Sequence, residues 1–462
     1  MKFKFIVSVS LVWVFGVKSY AQTLKLKDAL ARSVERYDKI KSKQSIIAAS
    51  EKNTVLQQQL YLPDITFSAQ QSYGTINMLH GPMYAQGGMA SAATSMPLAE
   101  QNWNAAFGAL YFANINWNLF TFGRIKNLVA LGKQKEHTAH AALEQEIFQH
   151  QVKVSAAYLN LLASQRIKYV QEKNAERAEV FFQMTDSRSK SGLIPEVDAQ
   201  LAKAEVSSAR SLQIKSYDKE LEWSRHLAVL LGDEFQQYQL DSLYNTTIPP
   251  ENTTALSGKT DKHPVLRLQE SKIEESVQSE ALFKSEKRPS LAAFGLIQGR
   301  GSGFESNYAQ DNTAYSSKYL KGVGLDRGNY LLGFSLSWNI TNLFRAGTKV
   351  KEQQYLTRSL QQDFDLLTKE LNTQEHMAYA QLNNSRKNFE ETKVQLSAAQ
   401  LAYRQHTALY ENGLTNLVDY TQALYSLNRA EIDYEIARNN VWQALLLLAS
   451  ARGELEVFIQ QH

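Results

Sequence analysis

The chain has no cysteine in its 462 residues. That excludes disulfide staples, a thiol nucleophile and a lipid anchor on an N-terminal cysteine. Proline and glycine are scarce, at 8 and 22 residues. A chain with the length of two or three ordinary domains would need more punctuation, and long uninterrupted helices account for the shortage. Net charge is only +4, and Lys2, Lys4 and Lys18 lie in a segment read below as removable, leaving +1 (4 − 3). So weak a charge excludes nucleic acid as the expected partner. Catalytic signatures are missing as well. Glu136-His137-Thr138-Ala139-His140 is not the His-Glu-x-x-His of a zinc peptidase, and there is no nucleophile elbow or Walker loop. Gly299-Arg300-Gly301-Ser302-Gly303 lacks the Gly-Lys-Ser/Thr ending of a phosphate loop and reads as flexible loop. The expectation is a protein that is no enzyme and takes no cofactor and no metal.

Residues 1–21 read as a signal peptide, with Lys2 and Lys4 as the basic start, Phe5–Val17 as the apolar core and Ser19-Tyr20-Ala21 at the cleavage region. The expectation is export. The apolar run is shorter than the ~20 residues of a membrane-spanning helix, and no later stretch of the chain qualifies either.

What the chain does have is a repeat. Trp117-Asn118 recurs as Trp338-Asn339, an offset of 221 residues (338 − 117). The same offset relates Arg124 to Arg345, Tyr158 to Tyr379, Gly192-Leu193 to Gly413-Leu414, Val197-Asp198 to Val418-Asp419 and Gly232 to Gly453. A constant offset over this span implies an internal pseudo-twofold repeat. The first copy occupies 22–232, with a β-hairpin at 64–120 and a helical hairpin whose tip is near 192. A polar linker, 233–264, leads to the second copy, 265–453, with a β-hairpin at 290–342 and a tip near 413. A tail, 454–462, follows.

The strands announce themselves by a period of two. After a helical stretch Leu24–Tyr61, Pro63 opens Asp64–Tyr73, where Ile65, Phe67, Ala69 and Tyr73 alternate with Thr66, Ser68, Gln70 and Ser72. From Phe107 to Phe120, Ala113, Ile115, Trp117 and Leu119 interleave with Asn114, Asn116 and Asn118. The second copy repeats this with Pro289 opening Ser290–Gly299, and with Leu332, Phe334, Leu336, Trp338 and Ile340 on one side of a fourth strand. An apolar face opposed by Asn, Ser and Gly suits a soluble sandwich or a transmembrane barrel. Trp117 and Trp338, at equivalent strand ends, suit an aromatic girdle at the membrane interface or core packing. Four strands are too few to close a single-chain barrel, so a barrel would require several chains to pool them. The hairpin loops, Gly74–Asn104 and Arg300–Asn329, are too long for tight turns.

The helices are long. From Ile125 to Ser191 there is no proline, and sixty helical residues reach ~90 Å, about three times a hydrocarbon core. Leu417, Tyr420, Leu424, Leu427, Tyr434, Val441, Leu445 and Leu448 form a coiled-coil seam that Glu431 and Arg438 interrupt. Ser191-Gly192-Leu193 and Asn412-Gly413-Leu414 read as glycine-capped helix ends that turn the chain back on itself.

These residues together resemble the TolC-like outer-membrane efflux proteins, the channel-tunnel family. The resemblance rests on the Pro-led strands (Leu62-Pro63-Asp64, Arg288-Pro289-Ser290) and the Trp-Asn strand ends followed by Arg124 and Arg345. It rests also on Gly-Leu-x4-Asp at both tips and on the ending Leu230-Leu231-Gly232. It implies a mixed, mainly α fold, in which long antiparallel coiled-coil helices form a periplasmic α-barrel and four strands per protomer build a trimeric, twelve-stranded transmembrane β-barrel. It implies an outer-membrane location in contact with lipid. The implied partners are two further copies of the chain, a periplasmic adaptor and an inner-membrane transporter. Arg188, Gly192, Leu193, Asn412, Gly413 and Leu414 fall at the adaptor-contacting tips. Asp419, Asp198 and Gln422 fall at the periplasmic gate, where a ring of Asp419 carboxylates would attract cations. Asp198 and Asp419 equally suit the N-terminal dipoles of their helices. The implied function is passive efflux of small molecules through a tripartite system. Type I protein secretion is the alternative within the family, and an exported coiled-coil scaffold or adhesin without a pore is the alternative outside it.

Overall fold

The computed structural model describes residues 23–78, 96–250 and 263–459. The signal-peptide reading, the middle of the first hairpin loop and parts of the linker and tail lie outside them. The elements run α1 (Leu26–Arg36), α2 (Asp38–Gln59), β1 (Asp64–Thr75), β2 (Ala105–Phe120), α3 (Arg124–Lys190), α4 (Glu196–Leu231) and α5 (Leu243–Thr246). They continue with α6 (Pro264–Ser285), β3 (Ser290–Ser302), α7 (Tyr319–Val323), β4 (Arg327–Ser337), α8 (Asn342–Glu411), α9 (Leu417–Arg452) and α10 (Leu455–Ile459). The fold is mainly helical. None of the described helices is long and apolar enough to cross a membrane. The chain divides into two compact units, one of Met1–Ile47, Thr138–Ser271 and Gln361–His462, the other of Ala48–His137 and Lys272–Leu360.

The first unit is helical. Its core gathers Tyr158, Leu159 and Leu161 of α3, Leu227 and Leu231 of α4, Val441, Trp442 and Leu445 of α9, and Phe458 of α10. Toward its C-terminus α9 is apolar nearly all round, as a helix must be when neighbours cover every side. The polar atoms of two of these buried aromatics are satisfied, since Tyr158 donates to the Leu24 carbonyl at 2.8 Å and Trp442 Nε1 to the Thr247 carbonyl at 3.1 Å. The seam breakers Glu431 and Arg438 are consumed in ion pairs, Arg177 to Glu431 at 2.6 Å and Arg438 to Glu435. Arg166 adds a third group to the second pair, at 3.4 Å from Glu435.

Two readings of the sequence change here. The first helical stretch is two helices, because Tyr37 adopts an extended conformation and lays its ring on His150 at 3.8 Å between centroids. The linker is less featureless than its composition suggests. It carries α5, buries Tyr244, and pairs Leu240 with Leu24 in a parallel bridge. α9 ends at Gly453, and the short helix α10 follows.

Buried His263 joins that linker to α6. Its Nδ1 accepts from Val265 N at 3.2 Å and its Nε2 lies 3.0 Å from the Ser450 carbonyl, which can only accept. The ring is therefore neutral with the proton on Nε2, and it caps the first turn of a helix that begins with proline. Burial lowers its pKa despite the Ser450 bond. His150, 2.9 Å from the Leu230 carbonyl, is likewise lowered by burial.

The second unit holds one antiparallel sheet in the order β1-β2-β3-β4. Its register sets Ile65 opposite Ile115, Trp117 opposite Ala293, and Ala293 opposite Phe334, so the apolar sets of all four strands share one face. Thr66 faces Asn114 and Asp64 faces Asn116 on the other. β4 stops at Ser337, short of the expected Ile340. The Asn339 side chain accepts from Asn342 N at 3.3 Å and its carbonyl accepts from the same N–H at 3.1 Å, which turns the chain into α8. Gly299–Ser302 is no flexible loop but the end of β3. A Cβ on Gly301 would run into the Gly324 carbonyl, so glycine is there for close backbone approach.

Two outcomes follow from these ends and caps. Gly413 and Gly453 both hold a left-handed φ, +71° and +73°. A Cβ on Gly413 would meet open space, whereas one on Gly453 would lie 3.0 Å from His263 Cα. Gly413→Ala should cost roughly 1–2 kcal/mol from φ alone, and Gly453→Ala should lower the melting temperature further; equal shifts would contradict the packing. For His263 and His150 the folded pKa lies below the unfolded value of ~6.5. Their stabilising contribution is thus complete above that value and is lost as pH falls through the folded pKa. The melting temperature should drop between about pH 7.5 and 5.5, and the drop should shrink in His263→Gln.

Candidate functional site

Both helical hairpins of the first unit turn by the same backbone device. At the end of α3, Gly192 N bonds to Ser189 O at 2.9 Å and Leu193 N to Arg188 O at 3.0 Å. At the end of α8, Gly413 N bonds to Tyr410 O at 3.0 Å and Leu414 N to Leu409 O at 2.8 Å. Each pair closes the last carbonyls of its helix around a left-handed glycine. The turns leave Leu193 and Leu414 each 73% exposed, with Val197 and Val418 also exposed. Neither tip buries its own leucine, so each presents an aliphatic projection to its surroundings.

Below the tips an aromatic cluster packs the two hairpins. Phe181 of α3 stacks on Tyr420 of α9 at 4.0 Å between centroids, with Tyr410, Leu417, Leu424 and Ala202 around them. The Tyr403 and Tyr420 hydroxyls are 3.1 Å apart. Of the residues expected at the tips, Arg188 is spoken for by the protein itself. Its Nη1 donates to the Tyr410 carbonyl at 3.0 Å, its Nη2 to the Glu411 carbonyl, and its guanidinium lies 5.8 Å from the Tyr410 ring centre. A cation on the last carbonyls of α8 answers the negative end of that helix and fastens one hairpin to the other. Asn412 is exposed, and its side-chain amide donates to the Ala408 carbonyl at 2.8 Å.

The gate candidates sit on the first turns of α4 and α9. Asn416 caps α9 by accepting from Asp419 N at 2.9 Å, and Thr415 donates its hydroxyl to Asp419 Oδ2 at 3.0 Å. Asp419 therefore occupies the first-turn position where a carboxylate favours the helix, and it is exposed, as is Gln422 one turn on. Asp198 has the matching place on α4 behind Pro195 and is half-buried. The dipole explanation thus holds for both acids, and it leaves the Asp419 carboxylate open to solvent.

Sequence reasoning missed the tie between α4 and α9. The Tyr425 hydroxyl donates to Glu205 Oε2, and Glu205 is buried. Burial raises the Glu205 pKa, and the bond to Glu205 pushes the Tyr425 hydroxyl up to about 12. A glutamate within an otherwise small-residue stretch of α4 was the available signal, but no sequence pattern names its partner 220 residues away. In the second unit, Trp117 Nε1 donates to the Tyr61 carbonyl at 2.9 Å and Trp338 Nε1 to the Lys287 carbonyl at 3.0 Å. Both indoles remain substantially exposed on the apolar side of the sheet.

Arg188→Ala should free the end of α8. Two bonds from a charged donor are lost, at ~1.5–3 kcal/mol for such groups, so amide exchange at residues 409–414 should accelerate severalfold or more while the Trp442 core keeps its protection. Unchanged exchange at 409–414 would mean that Arg188 does not fasten the tip.

The comparisons with known proteins agree with this geometry. The family model described as outer membrane efflux protein matches residues 30–233 and 303–454. No curated protein matches the sequence. Among solved structures, CusC aligns with a TM-score of 0.73 at 13% identity, covering 93% of this chain and 92% of its own. The Campylobacter jejuni CmeC outer membrane channel gives 0.73 at 13%, covering 93% and 85%. The open state of the Neisseria gonorrhoeae MtrE outer membrane channel gives 0.70 at 14%, covering 93% and 88%. At such identities the likeness is one of fold. With the family model matched over more than half of the chain, the protein belongs to the outer membrane efflux protein family, a family of channels and not of enzymes.

Proposed function

We propose that this protein is the outer-membrane conduit of a tripartite efflux system, a homotrimer through which small molecules leave passively after delivery by a periplasmic adaptor and an inner-membrane pump. The observation that carries this reading is the sheet. Within the described residues β1 and β4 are its open edges, and one face exposes Phe67, Leu332, Phe334 and Leu336. Bare edges and an apolar face are untenable in water. Lipid would accept the face, and pairing β4 of one chain with β1 of the next would remove every edge, giving twelve strands from three chains. The domains then take their roles: 64–120 and 290–342 as the barrel hairpins, 22–232 and 265–453 as two copies of a strand-and-helix unit, and 233–264 as a belt on the helical part.

The exposed leucines and valines of the two tips support adaptor docking there, with Gly192, Leu193, Asn412, Gly413 and Leu414 as contacts. Arg188 acts in this reading as the fastening beneath the contact surface. Adaptor binding favours an open state by its differential affinity, and the ties Arg188 to α8 and Glu205 to Tyr425 are what that energy must loosen. Asp419, one per chain about a threefold axis, gives the closed mouth a carboxylate ring that concentrates cations, with Gln422 above it and Asp198 flanking. Trp117 and Trp338 mark the membrane interface. The family match and the apolar sheet face favour this reading over a scaffold without a pore.

The purified protein should run as a trimer in detergent and give a small, cation-selective resting conductance in planar bilayers. Asp419→Ala should raise that conductance or abolish block by divalent cations. A monomer that never inserts would overturn the conduit, and a variant with unchanged conductance and block would remove Asp419 from the gate.

A further inference from the structure

The second unit contains a cavity of about 700 Å³ where β2 passes into α3, beside the last turn of α6. Its formation begins with a backbone irregularity. The pairing of β2 with β3 shifts register between Asn118 and Phe120, which brings both Leu119 and Phe120 to the cavity wall. Phe122 then takes a left-handed φ of 49°, the only such non-glycine residue among those described. Such a conformation costs of order 1–3 kcal/mol and persists where surroundings enforce it. Here the enforcement is visible, since Arg288 Nη1 donates to the Phe122 carbonyl at 3.0 Å and the Phe120 and Phe122 rings meet edge to face at 4.6 Å.

The walls are of two kinds. Tyr61, Leu119, Phe120 and Ile125 supply apolar surface, and Lys126, Lys284 and Arg288 supply charge. The charges do not cancel locally. Lys284 is taken by Glu280 at 2.6 Å, but Lys126 and Arg288 have no carboxylate partner among the described residues. No acid lines the cavity. A concave site with an aromatic and aliphatic side, two uncompensated cations and no anion is complementary to an amphiphile with an anionic head.

We propose that this cavity binds a membrane glycerophospholipid, its phosphate held by Lys126 and Arg288 and the start of an acyl chain lying along Leu119, Phe120 and Ile125. The proposal rests on the outer-membrane reading above, under which the passage from strand to long helix marks the edge of the hydrocarbon on the helical side. Cationic clefts at that depth attract anionic headgroups, and aromatic rings accumulate there. The residue 221 positions after Lys126 is Gly347 (126 + 221), so the second strand-to-helix passage has no counterpart of Lys126 itself, although Lys287 Nζ lies 3.7 Å from where a Cβ on Gly347 would be.

Native mass spectrometry of the full-length protein in detergent, titrated with dioleoylphosphatidylglycerol, tests this. Lipid adducts should form on the assembled protein. Loss of one cation near a headgroup weakens attraction by about fivefold, so Lys126→Gln should weaken binding by that factor, and Arg288→Gln should do the same or more. Inorganic phosphate should not compete, and diacylglycerol, which keeps the chains without the phosphate and so loses both cation contacts, should bind the wild type more weakly than the lipid binds Lys126→Gln. Lys318→Gln, remote on the β3–β4 loop, should bind as wild type does. Equal lipid binding by wild type and Lys126→Gln would overturn the proposal, as would full competition by phosphate, which would denote a free-anion site. Because Arg288 also holds the Phe122 turn, Lys126→Gln decides the matter if Arg288→Gln misfolds. The same spectra separate the two levels: assembled trimers without lipid overturn the cavity alone, and a protein that never assembles overturns the conduit.

Discussion

The constraint on which the rest depends is an unfinished sheet. Four antiparallel strands leave two edges of unpaired backbone donors and acceptors, and hydrocarbon offers such groups no partner at all. The same strands carry an apolar face too extensive for water. A single chain has no way to satisfy both conditions, whereas the proposed trimer in a membrane would satisfy them together. Two hairpins per chain, aligned β1-β2-β3-β4, would let three chains reach a closed count of strands.

The helical unit answers a different demand. In the proposed conduit it would be rigid in its core and more loosely held at its tips. Trp442, Tyr158 and Phe458 are almost fully buried, with their polar atoms paired, and the interruptions of the α9 seam at Glu431 and Arg438 are matched by Arg177 and Glu435. Ion pairs at buried or half-buried positions add little net stability but are costly to mismatch. The pairs that reach α9 from α3, Arg177 to Glu431 and Arg166 to Glu435, therefore act against a slip of α9 along α3 more than they strengthen it. Toward the tips the apolar contacts thin to one aromatic cluster around Tyr420, and polar ties such as Arg188 to the α8 carbonyls take over. Hydrogen bonds of modest net worth would suit a tip whose packing is exchanged in the proposed opening.

Much of this was legible in the sequence, and the reasons differ by element. The strands were readable because a half-buried sheet enforces a period of two, and the tips because a left-handed residue ending a helix selects glycine. The ends of elements were less so. The fourth strand was read to Ile340, but the Asn339 turn starts the helix sooner, and a side chain that can either continue a ladder or cap a helix leaves no trace of its choice in the alternation. Gly299–Gly303 was read as flexibility because glycine serves both freedom and close approach, and only the Gly324 carbonyl distinguishes them. Arg188 was placed at the tip by the family resemblance, and the carbonyls it binds lie on a helix that ends more than two hundred residues later.

The sequence by itself determined the kind of elements, their doubled order and the chemistry of their faces, because periodicity, capping and turn residues act over a few positions and are written where they act. It also determined the family, since those local signs recur together in one arrangement. Tertiary structure alone decided which side chains meet: Glu205 with Tyr425, His263 with Ser450, Lys126 and Arg288 around one cavity. Such pairings are set by helix register and strand slip summed over long stretches, and an error of one residue in either would send every side chain to another face.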